Sequence, residues 1–189
     1  MHRERAYTLG MSPALMTADE LFHVNIPDKH SELVRGVLVV GEPPGLPHGR
    51  IALELGAALV AHVRASGLGR VYVESGFKLA SNPDTVRGPD LAFISQSRIP
   101  EPEPRGYPTL APDLAVEVLS PDDRPGEVLG KVADYLSAGT RLVWVIDPER
   151  RLARVYRADG AQEIVTAEQV LQGEDVVPGF TCPLATILG

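Results

Sequence analysis

The sequence has little cysteine, little lysine and no long apolar run, and each shortage excludes a class of protein. Cys182 is the only cysteine in 189 residues, which excludes an intramolecular disulfide and a zinc site built from several cysteines. No stretch approaches the roughly 20 apolar residues that a membrane-spanning helix needs. A lone cysteine is typical of a reducing compartment, so we expect a cytoplasmic protein with no membrane association.

Basic residues are in the minority, with 18 lysines and arginines against 25 acidic residues and a formal charge of −7. This balance argues against a protein that coats nucleic acid through bulk charge, although a local basic face stays open. Only three of these 18 residues are lysines, so a lysine at a given position can indicate a specific chemical requirement. The sequence also lacks a glycine-rich nucleotide loop and the Gly-x-Ser-x-Gly motif of serine hydrolases.

The remaining composition is that of one globular domain. Hydrophobic residues make up 44% of the chain and charged residues 23%, which is enough apolar material for one core. The length is short for two ordinary domains. We therefore expect a single domain over residues 17–189, preceded by a loose N-terminal arm over residues 1–16.

The spacing of apolar residues predicts three helices and seven strands. The helices are expected over residues 17–24, from His48 to a stop at Gly67, and from Pro125 to a stop at Gly139. The strands are expected over residues 32–40, 70–74, 77–80, 87–95, 114–119, 141–147 and 151–157, followed by a short irregular tail. This pattern favours an α/β or α+β fold with one mixed central sheet flanked by helices.

Two of these strands each carry one carboxylate among apolar residues, Asp90 before Leu91-Ala92-Phe93-Ile94 and Glu117 within Leu114–Leu119. An unpaired, ionised carboxylate costs several kcal/mol or more to bury, so each must be paired, protonated or bound to a cation. On paired strands two such groups can lie about 5 Å apart and together suit one Mg²⁺ ion. The structural alternative is that Asp90 caps a strand end and Glu117 pairs with an arginine.

Lys131 lies on the helix that follows the Glu117 strand, beside the buried stripe of that helix. In a chain that favours arginine, a lysine here can indicate a need for a compact ammonium group near a water or a phosphate. The alternative is an ordinary surface lysine whose alkyl stem covers apolar residues.

Five short motifs in this order resemble a known family. They are Glu32-Leu33-Val34-Arg35-Gly36, His48-Gly49, Arg87-Gly88-Pro89-Asp90, Val116-Glu117-Val118-Leu119-Ser120-Pro121 and Trp144-Val145-Ile146-Asp147-Pro148. With Lys131 on the next helix, they resemble the PD-(D/E)XK nuclease superfamily and, within it, the bacterial family named "putative restriction endonucleases". The resemblance covers roughly residues 17–157.

The resemblance implies a restriction-endonuclease-like sheet, a Mg²⁺ ion held by Asp90 and Glu117, and hydrolysis of nucleic-acid phosphodiesters; Mn²⁺ is a second possible ion. One position departs from the superfamily pattern, because Leu119 stands where a strand lysine is expected. The helical Lys131 is the natural substitute. Catalysis therefore depends on whether Lys131 points at the carboxylates.

Three further residues are candidates for the same site. Glu32 resembles an acidic residue that an early element of the superfamily contributes, with a solvated strand end as the alternative. His48 could contact phosphate or move a proton, or could be an ordinary exposed histidine at a helix start. Arg87 could contact substrate or could pair with an acid such as Asp84.

We therefore expect a Mg²⁺-dependent endonuclease that cleaves DNA with a metal-activated water, its catalytic residues being Asp90, Glu117, Lys131, Glu32 and His48. The alternatives are a catalytically silent protein of the same fold that binds nucleic acid or a protein partner, and a nuclease acting on RNA or a repair intermediate. Cutting both strands of a duplex requires two sites, which favours a homodimer.

Overall fold

The computed structural model describes residues 15–27 and 29–189. The predicted N-terminal arm lies outside the described residues except for Leu15 and Met16. The backbone N–H of Met16 donates a hydrogen bond of 2.8 Å to the carbonyl of Gly36. The extent of the domain over residues 17–189 stays a prediction.

The chain forms four α-helices and twelve strands within the described residues. The helices are α1 (Ala18–His23), α2 (Leu46–Ser66), α3 (Pro125–Ser137) and α4 (Leu184–Leu188). The strands are β1 (His30–Val34), β2 (Val37–Gly41), β3 (Gly69–Val73), β4 (Phe77–Ala80), β5 (Thr85–Arg87), β6 (Leu91–Ser95), β7 (Leu114–Val118), β8 (Leu142–Asp147), β9 (Leu152–Arg157), β10 (Gln162–Thr166), β11 (Val170–Gln172) and β12 (Thr181–Pro183).

The central sheet has six strands in the order β10-β9-β8-β7-β6-β3. Strands β7 and β8 are parallel, and the other neighbours are antiparallel. Every residue of β7 and β8 is buried, as expected of strands that are covered on both faces. The predicted mixed central sheet flanked by helices is confirmed.

The two faces of this sheet are covered by different helices. Ile51, Leu55, Leu59 and Val63 of α2 pack on one face in the larger core, and Val132 and Tyr135 of α3 pack on the other. Helix α2 ends and helix α3 begins where predicted, whereas α2 begins at Leu46, before the predicted start at His48. Helix α2 stops at Gly67, whose φ of 62° is the left-handed conformation that glycine adopts readily, and α3 begins at Pro125.

The predicted single strand over residues 32–40 is wrong. The chain turns back at Arg35-Gly36, so that β1 and β2 form an antiparallel hairpin. Arg35 has a φ of 49° and Gly36 a φ of 78°, the pair of positive values that a two-residue type I′ turn requires. The hairpin belongs to a second sheet, ordered β2-β1-β5-β4, so the strands do not all join one sheet.

The predicted irregular C-terminal tail is also wrong. Residues after Arg157 form β10, the small β11–β12 sheet and α4. Leu171, Phe180 and Ile187 from this segment join the larger core, where the Phe180 ring stacks on Trp144 at a centroid distance of 5.9 Å. The C-terminal segment therefore completes the core on the α2 face.

Within the described ranges, no helix is both long and apolar enough to cross a bilayer.

Candidate active site

Glu117 faces α3 because side chains alternate along β7. Ala115 and Glu117 point to the α3 face, whereas Leu114 and Val116 point into the larger core. Lys131 and Tyr135 are four residues apart on α3 and so share one face of that helix. This places a carboxylate, an ammonium group and a phenol together under the helix.

The Glu117 carboxylate receives one hydrogen bond on each oxygen. Lys131 Nζ donates to Oε2 at 2.9 Å, and the Tyr135 hydroxyl donates to Oε1 at 2.7 Å. The Glu117 side chain is only 8% exposed. Burial raises the pKa of Glu117 to about 7; the charge of Lys131 opposes this effect, and the charges of Asp90 and Glu32 add to it.

Asp90 lies beside Glu117, immediately before the first residue of β6. The antiparallel register opposes Leu91 to Val116, so Asp90 and Glu117 occupy the next opposed position and point to the same face. Asp90 Oδ2 accepts a hydrogen bond of 2.6 Å from the backbone N–H of Val118. The register therefore brings together the two carboxylates that the sequence singled out.

His48 lies in the first turn of α2 and contacts the other oxygen of Asp90. Its Nε2 is 3.2 Å from Asp90 Oδ1, and its Nδ1 is 3.4 Å from the Ser120 hydroxyl. Burial lowers the pKa of His48, but the hydrogen bond and the charge of Asp90 outweigh burial and leave that pKa raised. His48 is thus held as a hydrogen-bond donor toward Asp90.

Glu32 on β1 joins the same cluster from the second sheet. Its Oε1 is 3.5 Å from Lys131 Nζ and accepts a hydrogen bond of 3.0 Å from the backbone N–H of Gly88. Its Oε2 accepts from Arg87 Nη1 at 2.8 Å. Arg87 also donates to Asp134 through Nε at 2.9 Å and Nη2 at 2.7 Å, with only 8% of its side chain exposed.

These side chains line one open cleft of about 740 Å³ between the two sheets and α3. All six predicted site residues, Glu32, His48, Arg87, Asp90, Glu117 and Lys131, line it. Acidic residues outnumber lysines and arginines along its walls. The acidic cleft would therefore repel the phosphates of a nucleic acid, and a bound cation would reduce that repulsion.

The carboxylates of the cleft fit a hard divalent cation. Among residues 15–27 and 29–189, no three His, Cys, Asp or Glu side chains form a ready-made cluster of ligands. Magnesium does not require one, because it keeps several waters and binds through one or two carboxylates plus substrate phosphates. Asp90 and Glu117 would supply those carboxylates, and the raised pKa of Glu117 marks a negative charge that a cation would stabilise.

Comparison with known proteins identifies the family. The profile of Uma2, described as "Putative restriction endonuclease", matches residues 18–185. The chain belongs to the Uma2 family. A crystal structure described as "a putative nuclease" from Anabaena variabilis ATCC 29413 superposes on this Uma2 protein with a TM-score of 0.81 and 24% sequence identity. The superposition covers 92% of this chain and 97% of that one.

The structural likeness shows that this Uma2 protein shares the fold of that "putative nuclease", which agrees with the predicted PD-(D/E)XK superfamily. No curated protein matches the chain.

Sequence reasoning missed three residues of the site: Asp134 and Ser120, which line the cleft, and Tyr135, which is buried beneath it. Tyr135 looked like part of the apolar stripe of α3, although its position four residues after Lys131 was a usable signal. Asp134 carried no signal in the sequence, yet its carboxylate accepts two of the three side-chain hydrogen bonds that Arg87 donates. Ser120 carried no signal, because its contact with His48 depends on how α2 meets the end of β7.

Proposed function

We propose that this Uma2 protein is a Mg²⁺-dependent endonuclease that hydrolyses phosphodiester bonds of DNA. The observation that carries the proposal is that Asp90 and Glu117 occupy opposed positions on paired strands and both line the open cleft. Two carboxylates so placed are suited to holding a cation, and the raised pKa of Glu117 is consistent with such a site.

Asp90 and Glu117 would hold the ion, with Mn²⁺ as an expected substitute. Bound there, Mg²⁺ would supply Lewis acidity toward the scissile phosphate and lower the pKa of the attacking water. The hydrogen bonds to Glu117 from Lys131 and Tyr135 and to Asp90 from Val118 N–H fix both carboxylates before substrate arrives.

Lys131 would act as a cation and not as a general base. Burial lowers its pKa, but the charges of Glu117 and Glu32 outweigh burial and raise that pKa above its ordinary value. The ammonium group therefore stays protonated at neutral pH. From its position 2.9 Å from Glu117 it can donate to the attacking water and offset charge that develops on the phosphate.

Arg87 and His48 would have different parts. Arg87 is engaged by Glu32 and Asp134, so we infer that it positions Glu32 and not the substrate. This departs from the predicted substrate contact and corresponds to the predicted alternative of pairing with an acid, although Asp84 pairs with Lys78 instead. His48 fixes the orientation of Asp90, and its place at the wall of the cleft also lets it reach a phosphate oxygen.

The proposal also includes DNA as the substrate and a homodimer as the active assembly. The family supports a nuclease, and a duplex has two strands to cut, for which two copies of the site are the simplest arrangement.

Nicking of supercoiled plasmid in Mg²⁺ tests the function. We expect nicking by the wild type, loss in Asp90→Asn and Glu117→Gln, and retention in Asp147→Asn, a matched change at a buried carboxylate outside the cleft. Single-stranded DNA and RNA of equal length test the substrate class.

A folded wild type that binds DNA in Mg²⁺ but cleaves none of these substrates would contradict the enzyme. That result would instead support the silent nuclease-fold protein.

A further inference from the structure

The two large sheets have four edge strands, β2, β4, β3 and β10. Within the described residues, β2 is the one whose outer edge is not protected by a loop or by charged side chains. Its sequence, Val37-Leu38-Val39-Val40-Gly41, contains no charged residue. Val37, Val39 and Val40 are 52%, 44% and 45% exposed. Among residues 15–27 and 29–189, β2 pairs only with β1, so its outer edge presents unpaired backbone groups.

The other three end strands are protected in the usual ways. The N–H of Lys78 on β4 donates to the carbonyl of Pro108, so a loop occupies that edge. Strand β3 carries Arg70, which pairs with Glu103 of the same loop region, and β10 carries the charged Glu163. Natural sheets guard exposed edges with such loops and charges, and their omission from β2 indicates an edge that is covered by pairing.

We propose that β2 pairs antiparallel with β2 of a second copy of this chain. The β1–β2 hairpin has a two-residue turn, so Val34 and Val37 form its first hydrogen-bonded pair. By alternation, the backbone groups of Leu38 and Val40 point to the outer edge. A two-fold axis beside Val39 then pairs Leu38 of each copy with Val40 of the other, in a fully apolar, self-complementary contact.

The contact between the two β2 strands does not depend on the proposed function, but its role in DNA cleavage does. The two-fold axis is perpendicular to the sheet, so both clefts open on the same face. The two β1 strands, each with its Glu32, then lie three strand spacings apart, about 14 Å. That separation is comparable to the roughly 12 Å width of the DNA major groove, so one duplex could contact both clefts.

Sedimentation velocity of the full chain over a concentration series tests the contact without any nuclease assay. We expect a dimer in the wild type and in Val40→Ala, and at least about a tenfold rise in the dissociation constant in Val40→Pro. Proline removes the outward N–H of residue 40 and leaves the pairing with β1 in place. Circular dichroism checks that each variant is folded.

Cysteine cross-linking tests the register and does not depend on the proline variant. In a Cys182→Ser background, Val39→Cys places two thiols at a non-hydrogen-bonded pair with Cα atoms about 4.5 Å apart, within disulfide reach. We expect it to cross-link under mild oxidation. Val37→Cys is the matched control, since its two copies would be about 13 Å apart and should not cross-link.

Two outcomes would overturn the proposal. One is a wild type that stays monomeric, or a dimer that Val40→Pro does not weaken and that Val39→Cys does not cross-link. Such a dimer would have its contact elsewhere on the surface. The other is a chain that dimerises only after removal of residues 1–14, which would make its own N-terminal segment the occupant. Because mass is measured, neither outcome depends on whether the protein cleaves DNA.

Discussion

Glu117 and Asp147 are buried carboxylates on the same face of neighbouring parallel strands, yet the protein balances their charges differently. Asp147 is 3% exposed and accepts from Arg150 Nη1 at 3.0 Å, from Arg154 Nη1 at 3.3 Å and from the N–H of Arg150 at 3.0 Å. Burial raises the pKa of Asp147, but these bonds outweigh burial and lower it. Glu117 has one lysine, one phenol and two acidic neighbours, and its pKa is raised.

The difference separates a carboxylate whose charge the protein itself compensates from one that we propose as a metal ligand. Asp147 has two cations to itself, so its charge is fully compensated within the protein. Glu117 shares one lysine with Glu32 and lies beside Asp90, so the cluster keeps an excess of negative charge. A bound divalent cation would remove that excess, which is why we place the metal at Glu117 and not at Asp147.

The largest expected effect is on cleavage. Glu117→Gln keeps the shape of the side chain but removes the charge that holds the ion, so we expect Mg²⁺-dependent nicking to fall about 100-fold or more. Asp147→Asn should retain most of the wild-type rate per folded molecule. Equal losses in the two variants, measured by plasmid nicking, would remove the distinction between the two carboxylates.

The next effect is on stability and runs in the opposite direction. Asp147→Asn weakens several charge-assisted hydrogen bonds, and we expect the free energy of unfolding to fall by roughly 2 kcal/mol. Glu117→Gln should cost less or stabilise, because it removes a buried charge that the apoprotein compensates poorly. Urea denaturation of both variants without metal measures the two losses in the free energy of unfolding. A larger loss in Glu117→Gln than in Asp147→Asn would contradict this prediction.

The pH dependence of stability separates the same two groups. The folded-state pKa of Glu117 is raised to about 7, so its contribution to stability is full below about pH 4.5 and is lost as the pH rises through 7. The pKa of Asp147 is lowered, so its contribution is full above about pH 4 and is lost on further acidification.

Thermal unfolding without metal, between pH 3 and 8, checks both signs. Glu117→Gln should reduce the fall in stability between pH 5 and 8 and leave the part that comes from the raised pKa of His48. Asp147→Asn should leave the whole fall and weaken the acid-side loss. A wild type with no such fall above pH 5 would contradict the raised pKa.

The smallest expected effect is at Tyr135. Tyr135→Phe removes one of the two hydrogen bonds that orient Glu117, and we expect about a tenfold loss of Mn²⁺ affinity. Tyr156→Phe is the matched control, since Tyr156 packs in the same small core. An unchanged affinity in Tyr135→Phe, measured by calorimetry, would show that Lys131 alone positions the carboxylate.

The sequence carried enough information to select the central residues of the cleft. Asp90 and Glu117 stand out because charged residues rarely occur among apolar strand residues without a partner. The α2 and α3 boundaries were also predictable, since Gly67 and Pro125 mark helix ends by their backbone chemistry.

Other features depend on long-range pairing and could not be predicted locally. Arg35 takes a positive φ in a turn that usually has asparagine or aspartate there, so the local sequence predicts one strand where the chain forms a hairpin. Strands β11 and β12 have three residues each and no usable alternation, and only their place against the core makes them strands. The engagement of Arg87 by Glu32 and Asp134 likewise requires two sheets and a helix to meet.

Calorimetric titration of Mg²⁺ and Mn²⁺ into the wild type, Asp90→Asn, Glu117→Gln and Asp147→Asn tests the central claim most directly. We predict binding at one site in the wild type and in Asp147→Asn, and loss of binding in Asp90→Asn and Glu117→Gln. A folded wild type that binds neither ion, or binding that survives both cleft substitutions, would contradict the claim that these two carboxylates form a metal site.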